Sequence, residues 1–93
     1  HTLFTRNGKI AIDRKEYAQD FTPIDNDCLC HTCQYYTKAY LYHLCKVEEP
    51  IVKRLKTIHN LFFVQKLVDG AREAIKQQRF MQFKEDFLEK WKA

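Results

Sequence analysis

Three cysteines crowd into six residues: Cys28, Cys30 and Cys33 in the stretch CLCHTC, with Cys45 further along the chain. No other feature restricts this chain so sharply. A Cys-x-Cys pair is poorly placed for a disulfide, because neither the Cα separation nor the side-chain directions match the geometry the bond requires. With no export-signal pattern at the N-terminus, a disulfide framework is not the expected use of these thiols. Thiolates this close repel one another, and a soft divalent cation relieves the repulsion while fixing the loop.

Zinc in a structural site takes four protein ligands, so one more must come from elsewhere. The candidates are His31, His43, Cys45 and His59. His31 lies between two of the cysteines, in a turn too crowded for its ring to fold back. If a helix leaves the cluster near Tyr35, His43 and Cys45 lie roughly 12 and 15 Å along it at ~1.5 Å per residue. Neither reaches a metal held ~2.0–2.3 Å from its ligands. A second helix, turned back at Pro50, returns about the same distance and brings His59 to the cluster. The expected site is Cys28, Cys30, Cys33 and His59 around one zinc ion, with no open coordination position and hence a structural role. The competing reading leaves His59 as a hydrogen-bonded core histidine beside free thiols.

The rest of the pattern predicts a mostly α chain with an N-terminal β-hairpin. Ile10 and Ile12 alternate with Lys9 and Ala11, and Asn7-Gly8 suits the positive φ of a tight turn. Pro23 and several acidic residues mark the following stretch as a loop with at most one helical turn. Residues 34–47 carry a helical pattern, with Tyr36, Tyr40, His43 and Val47 at i, i+4, i+7 and i+11. Pro50 is expected to end that helix and to open the next, where its missing N–H needs no partner. Ile51, Leu55 and Ile58 give the second helix an apolar face, which Leu61, Val64, Val68, Ala71 and Ile75 extend, with a kink expected near His59. Phe80, Phe83, Phe87 and Trp91 share one face of a last amphipathic segment. The chain thus divides into a hairpin and loop over residues 1–27, a zinc subdomain over 28–59 and C-terminal helices over 60–93. Several of these apolar faces ask for a partner that the segment itself does not supply.

Composition sets only broad limits. With 45% hydrophobic and 30% charged residues the balance is that of a globular chain. No stretch approaches the ~20 apolar residues of a membrane span, so a soluble, cytoplasmic protein is expected. Sixteen Lys and Arg against twelve Asp and Glu give a formal charge of +4, which tolerates a nucleic-acid partner without demanding one.

The order Cys-x-Cys-x-x-Cys, a gap of twenty-five residues, then His-Asn resembles the zinc segment of the tRNA-guanine transglycosylases, the queuine tRNA-ribosyltransferase family. "DFTPID" before the cysteines, "AYLYHL", "TIHNLFF" and "REAIKQQRF" resemble that family's C-terminal blocks in the same order. The resemblance implies a large parent, a (β/α)8 TIM-barrel enzyme with a zinc-bearing insertion near its C-terminus, of which this chain would be the final quarter. Such enzymes exchange the wobble guanine of certain tRNAs for a 7-deazaguanine base. One barrel aspartate attacks the ribose carbon and a second handles protons, and both precede His1 in the family pattern. None of Asp13, Asp20, Asp25, Asp27, Asp69 or Asp86 matches them, so no catalytic residue is expected here. The family usually shows glycine where His1 stands, after an arginine-containing tRNA-reading stretch. The ending "EKWKA" favours the bacterial or eukaryotic queuine branch over archaeal relatives with further domains.

The aromatic helix has two readings. Tyr36, Tyr40 and His43 on one face are ordinary core packing in most helices, but two hydroxyls and an imidazole are awkward in a dry core. They suit a subunit interface, and the resemblance implies a homodimer built partly on these positions. Leu41 and Leu44 are then expected to point into the subunit. Lys53, Arg54 and Lys56 are either a solvated face or tRNA phosphate contacts. Two rivals to the transglycosylase reading remain: a stand-alone zinc-stapled module binding nucleic acid or protein, and the non-catalytic subunit of a heterodimeric transglycosylase.

Overall fold

The computed structural model describes residues 2–91; His1 and residues 92 and 93 lie outside them. Strands β1 (Thr2–Thr5) and β2 (Gly8–Ala11) pair antiparallel, with Thr5 opposite Gly8 and Leu3 opposite Ile10. The expected hairpin is present, but its turn is centred on Arg6-Asn7 rather than Asn7-Gly8. Thr5 explains the offset. Its buried hydroxyl donates to the Gly8 carbonyl at 2.7 Å and accepts from the Asn7 N–H at 3.3 Å, closing the loop early. Gly8 then begins β2 at φ 129°, a backbone state that only glycine adopts without strain.

A single 3₁₀ turn, Lys15–Tyr17, interrupts the following loop, in line with the expectation of at most one helical turn. Among the described residues four helices follow: α1 (His31–Tyr35), α2 (Lys38–Lys46), α3 (Ile51–Lys76) and α4 (Phe80–Lys90).

The helix expected over residues 34–47 is broken. Tyr36 is extended, at φ −133° and ψ 146°, and Thr37 caps α2 by accepting from the Tyr40 N–H at 3.2 Å. The loop supplies the other partners, since Lys38 and Ala39 donate their N–H groups to the carbonyls of Thr22 and Asp20 at 2.9 and 2.8 Å. These first-turn donors have no partner inside a helix, so a loop that satisfies them favours a new start over continuation. Lys38 Nζ reinforces the junction with a 3.3 Å ion pair to Asp20.

Nor is Pro50 what ends α2. Glu48 takes a left-handed φ of 56°, the Glu49 N–H reaches the Leu44 carbonyl at 3.0 Å, and the Glu48 N–H reaches Cys45 at 3.2 Å. This is a Schellman motif, complete before the proline begins to act. Pro50, already in helical geometry, leads directly into α3. The same motif ends α3, with Gln78 at φ 57° and the Arg79 N–H on the Ala74 carbonyl at 2.8 Å. Left-handed geometry costs a residue with a Cβ about 1–2 kcal/mol, of which glycine's greater freedom in the unfolded chain returns part. Gln78→Gly is therefore expected to raise stability by about 0.5–1 kcal/mol, read as a higher Tm in a thermal melt.

A kink is expected near His59, and α3 runs through that position as one unbroken helix. With neither Pro nor Gly in its first half, nothing there breaks the helical hydrogen bonds. Leu3, Ile12 and Leu41, all fully buried, join Leu44, Val52 and Leu55 in a core between the hairpin, α1, α2 and the start of α3. Beyond residue 60 the picture changes. Among the described residues there only Ala74 is buried, and Leu61, Val64, Val68 and Ile75 line an exposed apolar stripe. The α4 aromatics fold back toward the hairpin, where Trp91 packs on Phe63 and Phe4 and stacks on Phe87. Among the described residues no helix is long and apolar enough to cross a membrane.

Candidate metal centre

Local geometry gathers the three thiols first. Cys30 is the N-cap of α1, and its Sγ accepts from the Cys33 N–H at 3.3 Å. One helical turn therefore carries Cys33 back over Cys30. A turn in which the Cys28 N–H meets the Asp25 carbonyl at 3.1 Å brings the third sulfur in. Thr32, fully buried, then ties α1 to α3, donating its hydroxyl to the Leu55 carbonyl at 2.7 Å. Leu55 lies one turn before His59, so this bond sets the height at which the histidine meets the sulfurs.

His59, itself fully buried, presents Nδ1 at 3.6, 3.5 and 3.3 Å from the sulfurs of Cys28, Cys30 and Cys33. All four donor atoms lie within 4.8 Å of one another. A tetrahedral ion with metal–sulfur bonds of ~2.3 Å and metal–nitrogen bonds of ~2.0–2.1 Å holds its N and S ligands about 3.5–3.6 Å apart. His59 Nδ1 thus stands close to the spacing from the three sulfurs that such an ion requires.

The proton arrangement agrees. On the far side of the ring, His59 Nε2 is 2.6 Å from the Phe4 carbonyl. A carbonyl only accepts, so Nε2 carries the hydrogen and the Nδ1 lone pair faces the sulfurs. Burial holds the imidazole below its ordinary pKa and so favours the neutral form that a metal needs. Burial also raises the Cys28 and Cys33 thiols, and the neighbouring sulfurs raise Cys33 further. Left alone, these thiols stay protonated; a bound dication stabilises the thiolates and releases their protons.

The remaining ligand candidates fall outside. His31 is exposed and packs its ring 4.8 Å from that of Tyr35. His43 is exposed on α2, and Cys45 is buried in the core cluster. None of the four cysteines is in a disulfide.

Tyr36, Tyr40 and His43 do not share a helix face as expected, because Tyr36 sits in the break before α2. The extended backbone nevertheless brings Tyr36 onto Tyr40, with rings stacked at 5.5 Å. Leu41 and Leu44 point inward as expected. Lys53 and Arg54 are exposed, and Lys56 is half-buried. Sequence reasoning missed Thr32, the Phe4 carbonyl and Asn60. Only the pairing of His59 with Asn60 in "TIHNLFF" hinted at the last.

The queuine tRNA-ribosyltransferase family model matches residues 1–93. This chain belongs to that family. The queuine tRNA-ribosyltransferase of Caldanaerobacter subterraneus subsp. tengcongensis is 49% identical over 90 residues, covering 97% of this chain and 24% of the relative. That of Helicobacter pylori is 49% identical over 92 residues, covering 99% and 25%. That of Pelotomaculum thermopropionicum is 46% identical over 92 residues with the same coverage. The chain thus spans about a quarter of the length of the family relatives it matches.

Proposed function

We propose that this chain is the C-terminal portion of a tRNA-guanine transglycosylase, a TIM-barrel enzyme that exchanges guanine at the tRNA wobble position for a 7-deazaguanine base. The observation that carries this reading is the family match over the whole chain together with four donor atoms that all lie within 4.8 Å of one another. Cys28, Cys30, Cys33 and His59 hold one structural zinc ion, which when bound stabilises the thiolates and fixes the fold of the loop. The hairpin and loop occupy residues 1–27, the zinc subdomain 28–59 and the C-terminal helices 60–93. Tyr36, Tyr40 and His43 contribute to a homodimer surface, and Lys53, Arg54 and Lys56 meet tRNA phosphates in the cytoplasm.

The exposed stripe along α3 supports a piece of a larger body over a stand-alone module. Leu61 and Ile75 are 66% and 59% exposed, and an apolar face of this kind is normally covered. Glycosyl transfer also needs a nucleophile and a proton-transfer group around one sugar. Four of the aspartates here have structural partners instead. Asp20 binds Thr22 and Lys38, Asp25 accepts the N–H groups of Arg6 and Asp27, and Asp69 and Asp86 meet Gln65 and Gln82.

The expected result is that the full-length parent transfers radiolabelled guanine into tRNA, whereas this chain as the only protein transfers none. Incorporation by the chain alone would overturn the assignment of the catalytic groups to the missing portion. A folded, zinc-loaded parent that incorporates no base, 7-deazaguanines included, would overturn the transglycosylase reading or leave it as the non-catalytic partner subunit.

A further inference from the structure

Among the described residues β1 has a strand partner on one side only. In an antiparallel pair, alternate residues turn their N–H and C=O groups away from the partner, and at an edge strand these groups face solvent or another element. Here they face α3. The Phe4 N–H donates to Asn60 Oδ1 at 3.1 Å, and Asn60 Nδ2 donates to the Thr2 carbonyl at 3.0 Å. Next along the same edge, just beyond the Phe4 N–H, the Phe4 carbonyl accepts from His59 Nε2 at 2.6 Å. Two consecutive side chains of α3 thus occupy the outer edge of β1 as a third strand would. One of the two is a metal ligand.

The arrangement is not generic packing. The Asn60 amide offers one acceptor and one donor, and the edge of β1 presents one donor and one acceptor at matching positions. An amide seated this way fixes β1 along its length. The Phe4 carbonyl is thereby fixed too, and that carbonyl decides which imidazole nitrogen carries the proton and how the His59 ring is turned.

We propose that Asn60 is a positioning residue of the metal centre, holding β1 in the register that presents the Phe4 carbonyl to His59. The inference rests on the reading of Cys28, Cys30, Cys33 and His59 as ligands but assigns a role outside that set. Groups that orient a ligating histidine typically change metal affinity by about 10–100-fold when removed. The hairpin and the metal centre are then one cooperative unit. Release of the ion loosens β1, and loss of the β1 clamp loosens the ion.

The test uses the full-length protein that carries this chain, loaded with Zn²⁺ or with Co²⁺ as a coloured substitute. Asn60→Ala is expected to speed zinc transfer to a chromophoric chelator by about 10-fold or more and to alter the visible Co²⁺ spectrum. The Phe4 amide should at the same time lose protection from hydrogen exchange. Asn60→Asp keeps the acceptor for the Phe4 N–H but not the donor to the Thr2 carbonyl, and it is expected to fall between the two.

Ala74→Gly serves as the control. It removes a buried side chain about 21 Å further along α3 than Asn60, at ~1.5 Å per residue. It should lower the melting temperature and leave zinc release and the cobalt spectrum as they were. Zinc release unchanged in both Asn60 variants would overturn the proposal. So would equal acceleration by Ala74→Gly, since that would make the effect one of general stability. If Asn60→Ala does not fold, Asn60→Asp carries the test, and wild-type zinc release in that variant overturns the proposal in the same way. Wild-type protein without zinc in any preparation would overturn the ligand reading itself, a separate outcome because no Asn60 comparison could then be made.

Discussion

Replacing His59 with alanine is expected to remove zinc from the protein and to unfold the loop that carries the three cysteines. Two losses combine at this one position. The ion keeps only three thiolate ligands, and the Phe4 carbonyl loses its partner at the edge of β1. A structural zinc site supplies an apparent ~10–16 kcal/mol of binding free energy, and where no preformed site exists in the unfolded chain that energy becomes folding free energy. A destabilisation of more than about 3 kcal/mol is therefore expected, beyond the range of ordinary surface substitutions. Metal analysis should give one zinc per wild-type chain and well under one for His59→Ala, with the cooperative thermal transition shifted or lost. His59→Cys separates the two contributions. It restores a four-ligand thiolate set, which zinc accepts, but not the bond to Phe4. It should keep the metal and recover only part of the stability. Full zinc retention in His59→Ala would return the histidine to the role of a core residue and assign the fourth coordination position to another group.

Tyr36→Ala/Tyr40→Ala in the full-length parent is expected to move the protein from dimer to monomer while keeping its zinc. The two rings stack at 5.5 Å, and Tyr40 remains 48% exposed. His31 extends the cluster, its ring lying 6.1 Å from that of Tyr36. A pre-stacked aromatic surface loses little freedom on association, and such anchors dominate interface energetics at about 2 kcal/mol or more each. Sedimentation across a concentration series, with metal content measured on the same samples, checks this outcome. A dimer unchanged at low concentration would assign the stack to the fold of the α1–α2 junction. A monomer that has also lost zinc would show only that the junction supports the cysteine loop, and the interface assignment would fail with it.

How far each element could be foreseen follows from the range of the forces that shape it. Cys28, Cys30 and Cys33 announce a metal site because thiol repulsion and ligand geometry act over a few residues and leave a spacing. His59 could be selected from helix rise and the return at Pro50, two local properties that add along the chain. The hairpin was legible from strand alternation and Gly8. Its turn was displaced by one residue because the Thr5 hydroxyl, a single side-chain hydrogen bond, outweighed the preference of Asn-Gly for the turn centre.

The junction at Tyr36 and Thr37 was not legible. Residues 34–47 have a helical pattern and contain no breaker. What divides them is a loop about 16 to 19 residues earlier, whose Asp20 and Thr22 carbonyls take the first N–H groups of α2. The ends of α2 and α3 escaped for a related reason, since Glu48 and Gln78 adopt a conformation usually left to glycine. The sequence by itself picked out the cysteine cluster, the hairpin and the long apolar stripe, all of which repeat or cluster within a few residues. Only the tertiary structure decided that His59 and Asn60 would lie along the edge of β1, more than fifty residues away. An edge strand's unpaired groups have no signature in composition or period, and they find their partners only after the chain has folded back upon itself.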